Sequence, residues 1–467
     1  MTTAPTAEGS LYELVARGNK DVFFYQDLFN SKFVFDNTYE PQTPATQDLR
    51  RVPPRTAAEF GRTVEFDFDL VGDVMTHPAL LISLPTWLPA SVAATAPKSV
   101  LTDLSGVSYG YTSGIAYFLF ERIQFYQDTI LLQDFSGDAL WAKSATEGTY
   151  ASTFIAGSET GSHDGTKVSI SRNSAPPMLR LELPLLGCQS KDDCGFPQRA
   201  VTSHSYKLRC KLRKVEDLVE ASDGREKPVP WGRQDMQQVT TNGGTATRFS
   251  TIPREQLGPL LLQLETNQVY LPREHQEVFQ RNPQRIQFKR IFENVYTQNQ
   301  LDYQGLQNAG ASFVTRRLDG RHPAERLLWF ARAQTHIRAN QLWKLQTFYT
   351  SINLTIAGQT RESDRTPMVW RDVTNFAKEE LDTGTEISTM NWGFGSIIEK
   401  RKHLFQGQLT GAVNFTTADR PTFYISLAQA TTDPLTGAPN TELRVLVESW
   451  ASFDTDGKGR AELFSFN

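Results

Sequence analysis

The chain has 467 residues, of which 39% are hydrophobic and 11% aromatic, so it can bury substantial cores. Its 48 basic and 52 acidic residues leave a formal net charge of -4, which provides no global field to attract nucleic acid or an anionic membrane. Length alone suggests about three domains, but β-sandwiches with long loops reach ~200 to 250 residues each, so two large domains fit equally well.

Membrane spans, signal peptides and disulfide frameworks are not indicated. No stretch approaches the roughly 18 to 20 apolar residues that a span requires, and residues 1–9 are too polar for a signal peptide. Cys188, Cys194 and Cys210 are an odd number of thiols without CxxC spacing, which also argues against a zinc knuckle. Cys210 alternates with apolar neighbours and is predicted to be an inert core thiol. We expect a soluble chain with reduced cysteines, made in the cytosol.

A short helix is predicted near the N-terminus. Ser10 and Glu13 form a capping box, an apolar stripe follows, and Gly18 supplies a C-terminal stop. The resulting helix at residues 11–17 is too short to be stable alone. It must dock on the body of its own chain or on a neighbour.

Strands dominate the remaining patterned segments. Apolar and polar residues alternate with the period of two that is typical of a strand with one buried face. Residues 443–450 differ, since they are apolar on both faces. The alternating segments are centred on residues 64–70, 123–125, 206–212, 286–288, 352–356 and 423–427.

Two long polar stretches interrupt these segments. Residues 144–178 are rich in Ser, Thr and Gly and are predicted to form a surface excursion with recognition or contact roles. Residues 220–251 include prolines and a Gly pair, and we interpret them as the domain linker with its flanking loop.

The order of patterned segments repeats along the chain. Trp141 follows the strand at Ile123 at the same spacing as Trp370 follows the strand at Ile352. Both features therefore recur at an offset of 229, from position 141 to position 370. We infer two similar domains.

The same offset makes two further correspondences testable. It brings the alternating segment 63–72 onto 292–301, and it brings 181–186 onto 410–415. Residue identity between these segments is poor, so the inference depends on the order of elements.

Motifs of common enzyme classes are missing. The sequence contains no GxSxG, HExxH, GxxxxGK[ST] or GxGxxG pattern. The seven histidines are scattered, and His77 and His322 precede prolines, a context that favours turns or strand starts over general bases. We therefore predict no enzyme activity and no catalytic, cofactor-binding or metal-binding residue.

Three weaker patterns have competing interpretations. Residues 454–462 resemble a fragment of a calcium loop, but the spacing does not fit an EF-hand, and a polar hairpin turn is favoured. Asn353 and Asn414 match the glycosylation acceptor pattern, which is coincidental in a cytosolic chain. A basic row could meet a phosphate or an acidic neighbour, although a solvated outer face or a subunit contact is favoured. The row consists of Lys207, Arg209, Lys211 and Arg213.

Taken together, the segments resemble the major capsid proteins of the nucleocytoplasmic large DNA viruses. No single motif is diagnostic, but the order and spacing of the segments are, and they run over nearly the whole chain. They are LYELVARGNKDVFF (11–24), FGRTVEFDFDLVGDVMTHPALLISLP (60–85), ERIQFYQDTILLQDFSGDALWA (121–142), LELPLLG (181–187), the basic strand ending near 215, HPAERLLWFARAQ (322–334), INLTIAGQTR (352–361), QLTGAVNFTTADRPTFYISL (408–427) and LRVLVESWASF (443–453).

The resemblance implies an all-β fold of two tandem eight-stranded jelly-roll β-sandwiches, with short helices in loops and at the N-terminus. It implies a structural virion protein whose homotrimers form pseudo-hexagonal capsomers that tile an icosahedral capsid. The expected organisation is an N-terminal arm with a short helix (1–20), a first jelly roll (21–219), a linker and loop (220–251) and a second jelly roll (252–467).

The expected partners are copies of the chain, neighbouring capsomers and minor capsid, cement or penton proteins. An inner membrane would be contacted indirectly, and neither direct nucleic-acid binding nor a cofactor is expected. The expected location is the virion capsid, after synthesis in the host cytoplasm.

The sequence departs from the family pattern at two places. The family often has an aromatic-rich run where this chain has the shorter LPLLGCQSKDDCGFP (183–197), and residues 416–419 differ from a common Ser-Arg-Ile-Asp run. Both major and minor capsid roles therefore stay open. Residues 322–334 have helical propensity, but the resemblance implies a turn leading into a strand, and we follow the resemblance.

Two alternatives come from other classes. A carbohydrate-binding β-sandwich would use exposed tryptophans such as Trp231 or Trp392 to stack on sugars. An enzyme on a jelly-roll scaffold, such as a cupin, would need a cluster of histidine and carboxylate metal ligands, whereas the histidines here are isolated.

Overall fold

The structure is a computed structural model. It describes residues 45–68, 70–85, 99–103, 109–147, 178–189, 195–228, 236–240, 247–248, 259–297, 313–347, 349–356, 358–373, 386–393, 411–415, 421–427 and 441–464. The predicted arm 1–20, with its helix at 11–17, lies outside these residues.

The first half of the chain forms two four-stranded antiparallel sheets and two small ones. The large sheets have the orders β1-β13-β3-β8 and β2-β9-β6-β7, and β12-β11-β4 and β10-β5 are the small ones. The strands are β1 (Thr46–Val52), β2 (Thr63–Asp67), β3 (Val74–Ser83), β4 (Ser99–Asp103), β5 (Tyr109–Tyr111), β6 (Phe120–Gln127), β7 (Ile130–Phe135), β8 (Leu179–Glu182), β9 (Tyr206–Leu212), β10 (Val219–Ala221), β11 (Met236–Thr240), β12 (Thr247–Arg248) and β13 (Leu261–Tyr270).

The second half repeats the two large sheets. Their orders are β14-β22-β16-β19 and β15-β21-β17-β18, with β20 added to β16 and β23 added to β22. The strands are β14 (Arg285–Tyr296), β15 (Phe313–Arg317), β16 (Pro323–Ala333), β17 (Tyr349–Ile356), β18 (Gln359–Arg365), β19 (Ser388–Asn391), β20 (Val413–Asn414), β21 (Thr422–Leu427), β22 (Thr441–Thr455) and β23 (Ala461–Phe464).

The two halves share one topology. When the eight strands of the large sheets are counted along the chain in each half, one sheet has the order first, eighth, third, sixth. The other has the order second, seventh, fourth, fifth. This is the antiparallel arrangement of a jelly roll. The predicted fold of two tandem eight-stranded jelly rolls is therefore confirmed.

Strand pairing corrects the predicted domain boundaries. The eighth strand of the first jelly roll is β13, which lies beyond residue 252 and pairs with β3 and β1. Strand β11, within the predicted linker, pairs with β4. The first jelly roll therefore extends to Tyr270, and a helix at Arg273–Arg281 leads to the second. The polar composition of residues 220–251 did not mark a domain boundary, because the last strand of a jelly roll follows this stretch and returns to pair with the first strand.

The helices are short and lie between strands. They include α1 (Ile115–Phe118), α2 (Gly137–Glu147), α3 (Arg273–Arg281) and α4 (Gln334–Arg338), and single helical turns occur at Gln198–Val201, Val215–Asp217 and Val369–Val373. The polar stretch 144–178 begins inside α2, where Ser144 and Thr146 are buried. Its start is thus core and not surface, and residues 148–177 lie outside the described part.

The offset of 229 holds for only part of the repeat. It maps β6 onto β17 at both ends, and it maps the start of β7 onto the start of β18. It is wrong for the other two correspondences, because the topological counterparts of β2 and β8 are β15 and β19. Connections of different length separate the strands in the two halves, so no single offset can describe them.

The sheet β14-β22-β16-β19 is buried on both faces. Trp329 and Val445 point into the interior of the second jelly roll. Phe330 and Leu446, one residue further along each strand, belong to the same hydrophobic cluster as the core of the first jelly roll. Two-sided burial explains why residues 443–450 are apolar on both faces. It also explains why residues 323–333 form a strand, as the resemblance implied, despite their helical propensity.

Candidate functional site at the junction of the two jelly rolls

The junction is built around α2, which packs on the outer face of β14-β22-β16-β19. The helix begins at Gly137. A Cβ atom at this position would lie 2.1 Å from the carbonyl oxygen of Tyr117, so only glycine fits there. The ring of Trp141 meets that of Phe330 edge-on, with the centroids 6.0 Å apart and the planes at 79°. An aromatic pair thus joins the two halves at the centre of the contact.

A buried carboxylate in α2 forms ion pairs with three arginines at one edge of this contact. Asp138 lies 2.5 Å from Arg332 of β16, 3.2 Å from Arg444 of β22 and 2.5 Å from Arg213 of its own half. Arg444 also lies 2.6 Å from Glu293. The guanidinium of Arg332 stacks over the rings of Phe118 and Phe330 as well, at 5.5 and 5.0 Å from their centroids.

Electrostatics hold this cluster in its charged form. Burial opposes ionisation of Asp138, but Arg332, Arg444 and Arg213 outweigh burial, and the pKa of the carboxyl lies well below its usual value. The pKa of Arg444 is raised, since Asp138, Glu442 and Glu293 outweigh the opposing effect of its burial. Each charge needs the others, because a buried unpaired ion is costly.

A second buried carboxylate anchors the other end of α2. Glu448 of β22 is fully buried, 2.8 Å from Arg326 Nε and 3.1 Å from Lys143 Nζ. Burial opposes its ionisation, but Arg326 and Lys143 hold its pKa well below the usual value. Beside it, Glu325 accepts a hydrogen bond from the indole of Trp450 at 2.7 Å and pairs with Lys289 at 3.1 Å.

Side-chain amides extend the junction at two further places. Gln189 donates to the carbonyl of Lys289 at 2.7 Å and accepts from its amide at 2.7 Å, so it pairs with both backbone groups of an edge strand. Asn340 of the second half donates to the carbonyls of Glu216 and Val219, at 2.6 and 2.7 Å. The halves are therefore joined by directional bonds as well as by apolar packing.

The basic row on β9 is mostly neutralised. Arg209 pairs with Glu65 and Lys211 pairs with Glu121, each at 2.7 Å on the exposed face. Arg213 departs from the predicted outer face, because it follows the end of β9 and turns inward to Asp138. These pairs leave the row better suited to a solvated face than to a phosphate.

The predicted hairpin turn near residue 456 is confirmed. Asp456 accepts hydrogen bonds from the amides of Lys458 and Arg460, at 2.7 and 3.0 Å, between β22 and β23. Gly457 and Gly459 have φ of +71° and +90°, conformations that glycine adopts without strain.

The two His-Pro pairs mark the third strand of each jelly roll. His77 lies within β3 and His322 directly precedes β16, and both have positive φ, 48° and 69°. A third histidine, His204, pairs with Asp128 at 2.7 Å across a turn. Within the described residues, no three His, Cys, Asp or Glu side chains are grouped so that they could hold a metal ion.

The remaining candidate residues have structural settings. Cys210 is buried in the core as predicted, and burial raises the pKa of its thiol, whereas Cys188 is half-buried and Cys194 lies outside the described residues. Trp392, offered for sugar stacking, is half-buried with its ring edge-on to Phe415 at 6.0 Å, and Trp231 is not among the described residues. Among the described helices, none is long and apolar enough to cross a membrane.

Sequence reasoning missed the junction residues. Asp138, Arg326 and Glu448 interrupt otherwise apolar runs, in FSGDALWA, HPAERLLWFARA and LRVLVESWASF. Charged residues are almost never fully buried unless they are paired. A charge inside a segment apolar on both sides was therefore a signal for a buried ion pair.

No protein-family model matches the sequence, and no curated protein matches it significantly. Solved structures match over nearly the whole chain. A quasi-atomic model of the PBCV-1 virus capsid covers 93% of this chain and 100% of its own, with a TM-score of 0.62 and 14% identity. PBCV-1 VP54, as fitted into a reconstruction of the virophage Sputnik, covers 93% and 100%, with a TM-score of 0.64 and 13% identity.

The Faustovirus major capsid protein covers 92% of this chain and 92% of its own, with a TM-score of 0.60 and 11% identity. The sequence identities are low, and the likeness is one of fold. The chain therefore has the fold of viral capsid proteins through both of its jelly rolls.

Proposed function

We propose that this protein is a structural, non-enzymatic virion protein that assembles through copies of itself. In this proposal three chains form a pseudo-hexagonal capsomer, and capsomers tile an icosahedral capsid. The observation that carries it is the likeness to capsid proteins over both jelly rolls and the connection between them. Neighbouring capsomers, minor capsid, cement or penton proteins, and an inner membrane reached indirectly would be its partners. The chain would be made in the host cytoplasm.

The junction supports this role physically. A subunit that supplies two of six similar sandwiches must hold them at one fixed angle, or the ring will not close. Buried clusters around Asp138 and Glu448, with Trp141 between them, oppose rotation of one jelly roll against the other. Such clusters fix geometry because every charge in them requires its partner.

The test is the assembly state of the purified full-length chain. Size-exclusion chromatography with light scattering is expected to give a particle of three chains at micromolar concentration. Negative-stain images of the same fraction are expected to show pseudo-hexagonal outlines. A strictly monomeric chain would overturn the proposal, and trimers that never associate further would favour a minor capsid role.

A further inference from the structure

The contact inside the chain suggests a second contact between chains. In the second jelly roll, the outer face of β14-β22-β16-β19 receives α2 of the first. The first jelly roll has the same sheet, β1-β13-β3-β8, with Leu49 and Leu261 among its exposed residues. This outer face, which we term the docking face, carries Leu49, Arg51, Arg180, Leu261 and Glu265.

Strand register shows which residues of the two sheets are equivalent. Strand β8 pairs with β3 so that Leu181 lies opposite Leu80. Strand β19 pairs with β16 so that Met390 lies opposite Leu327. All four of these side chains are buried. We therefore align the third strands at Leu80 and Leu327 and the sixth strands at Leu181 and Met390.

The same register matches the eighth strands. Glu265 of β13 lies opposite Ala79 of β3, and Glu448 of β22 lies opposite Arg326 of β16. In this alignment Glu265 and Glu448 are equivalent. Leu261 lies opposite Ser83, and Arg444 lies opposite Phe330. Leu261 and Arg444 are therefore equivalent as well. A carboxylate thus holds the same place on both faces, whereas an exposed leucine replaces a buried arginine.

The element that docks also has a counterpart. The offset of 229 that maps β6 onto β17 maps Asp138 and Ala139 of α2 onto Pro367 and Met368. Ala139 is fully buried, but Met368 is 64% exposed. Within the chain, Asp138 lies 3.2 Å from Arg444.

In the equivalent contact between two copies, Pro367 and Met368 of one copy replace Asp138 and Ala139. Leu261 of the other copy replaces Arg444, so Pro367 and Met368 lie against Leu261. Leu261 is 58% exposed, so an ion pair within the chain becomes an apolar contact between chains. On the docking face, Arg51 and Arg180 lie on either side of Glu265, each at 3.1 Å.

We propose that the docking face receives the segment at residues 367–373 of a second copy, with Leu261 against Met368. The proposal rests on the proposed function and names the surface through which copies meet. A heterologous contact closes into a ring when repetition of its rotation completes a full turn.

The test uses full-length variants and light scattering. Leu261→Lys and Met368→Glu are each expected to raise at least tenfold the protein concentration at which half of the assembly is dissociated. The circular dichroism spectrum and the melting temperature of each variant are expected to stay close to those of the wild type. Val278→Lys on α3 is the matched control, since Val278 is also 58% exposed, and it is expected to assemble normally. The double variant Leu261→Lys/Met368→Glu is expected to regain assembly at low salt and to lose it as salt rises.

The outcomes separate the two proposals. A wild type that assembles together with single variants that assemble equally well would overturn the docking face alone. A double variant that stays dissociated would overturn the pairing of the two positions. A monomeric wild type would overturn both proposals.

Discussion

Lys143 Nζ lies 3.1 Å from Glu448 Oε1, so a lysine of the first jelly roll contacts a buried carboxylate on β22 of the second. The two residues are 305 positions apart in the chain. Glu448 is fully buried and Lys143 nearly so, which makes the pair part of an interior and not a surface contact. The two jelly rolls share this interior.

Replacing Glu448 by glutamine is expected to destabilise the protein strongly. The change leaves Arg326 and Lys143 without their counter-charge in a buried site, which costs about 3 to 5 kcal/mol. Urea unfolding followed by tryptophan fluorescence measures the loss. The control is Arg273→Gln, at a side chain that is 91% exposed, with an expected change within about 0.5 kcal/mol. Equal midpoints for the two variants would contradict a buried ion pair.

Asp138→Asn is expected to alter the pH dependence of stability. The pKa of Asp138 is lowered on folding, so its stabilising contribution is complete above the unfolded pKa of about 3.9 and is lost as the pH falls below that value. The difference between wild type and variant should therefore be largest near neutrality and should shrink below about pH 4. Unfolding midpoints from pH 7 to pH 3 measure it, with Asp48→Asn on exposed β1 as the control. Parallel curves for the wild type and Asp138→Asn would contradict the prediction.

Two neighbouring residues of β16 offer a matched pair of core substitutions. Phe330→Ala opens a cavity at the junction, whereas Trp329→Ala opens one inside the second jelly roll. Both should cost about 3 to 5 kcal/mol. Only Phe330→Ala is expected to split the calorimetric transition into two, because it uncouples the halves. A single transition in Phe330→Ala would show that the halves unfold together without this contact.

Gly137→Ala and Gly358→Ala test the start of α2 against an open turn. A Cβ atom at Gly137 would meet backbone oxygens at 2.1 and 2.5 Å, so the helix must shift, at a cost of about 3 kcal/mol. Gly358 has φ of +73° but nothing within 4 Å, so only backbone strain of about 1 kcal/mol is expected. Thermal unfolding ranks the two variants. The reverse order would contradict the close approach of α2 to α1.

The sequence by itself determined most of the strands. The alternation at Val64 to Leu70 and at Tyr206 to Leu212 depends only on the two-residue period of an extended backbone, which is local. The same holds for the hairpin turn at Asp456, where Gly457 and Gly459 supply the backbone conformation. The tandem jelly rolls themselves came from the resemblance, which uses the order of these local segments.

The tertiary structure alone decided how distant segments meet. It assigned β13 to the first jelly roll, because an eighth strand pairs with strands that precede it by almost the whole domain. It brought Asp138 to Arg332 and Lys143 to Glu448, pairs that no local pattern specifies. A charge in an apolar run indicates that a partner exists, but the partner's identity depends on the packing of one sheet against another. That packing is long-range, and it makes two sandwiches into one body.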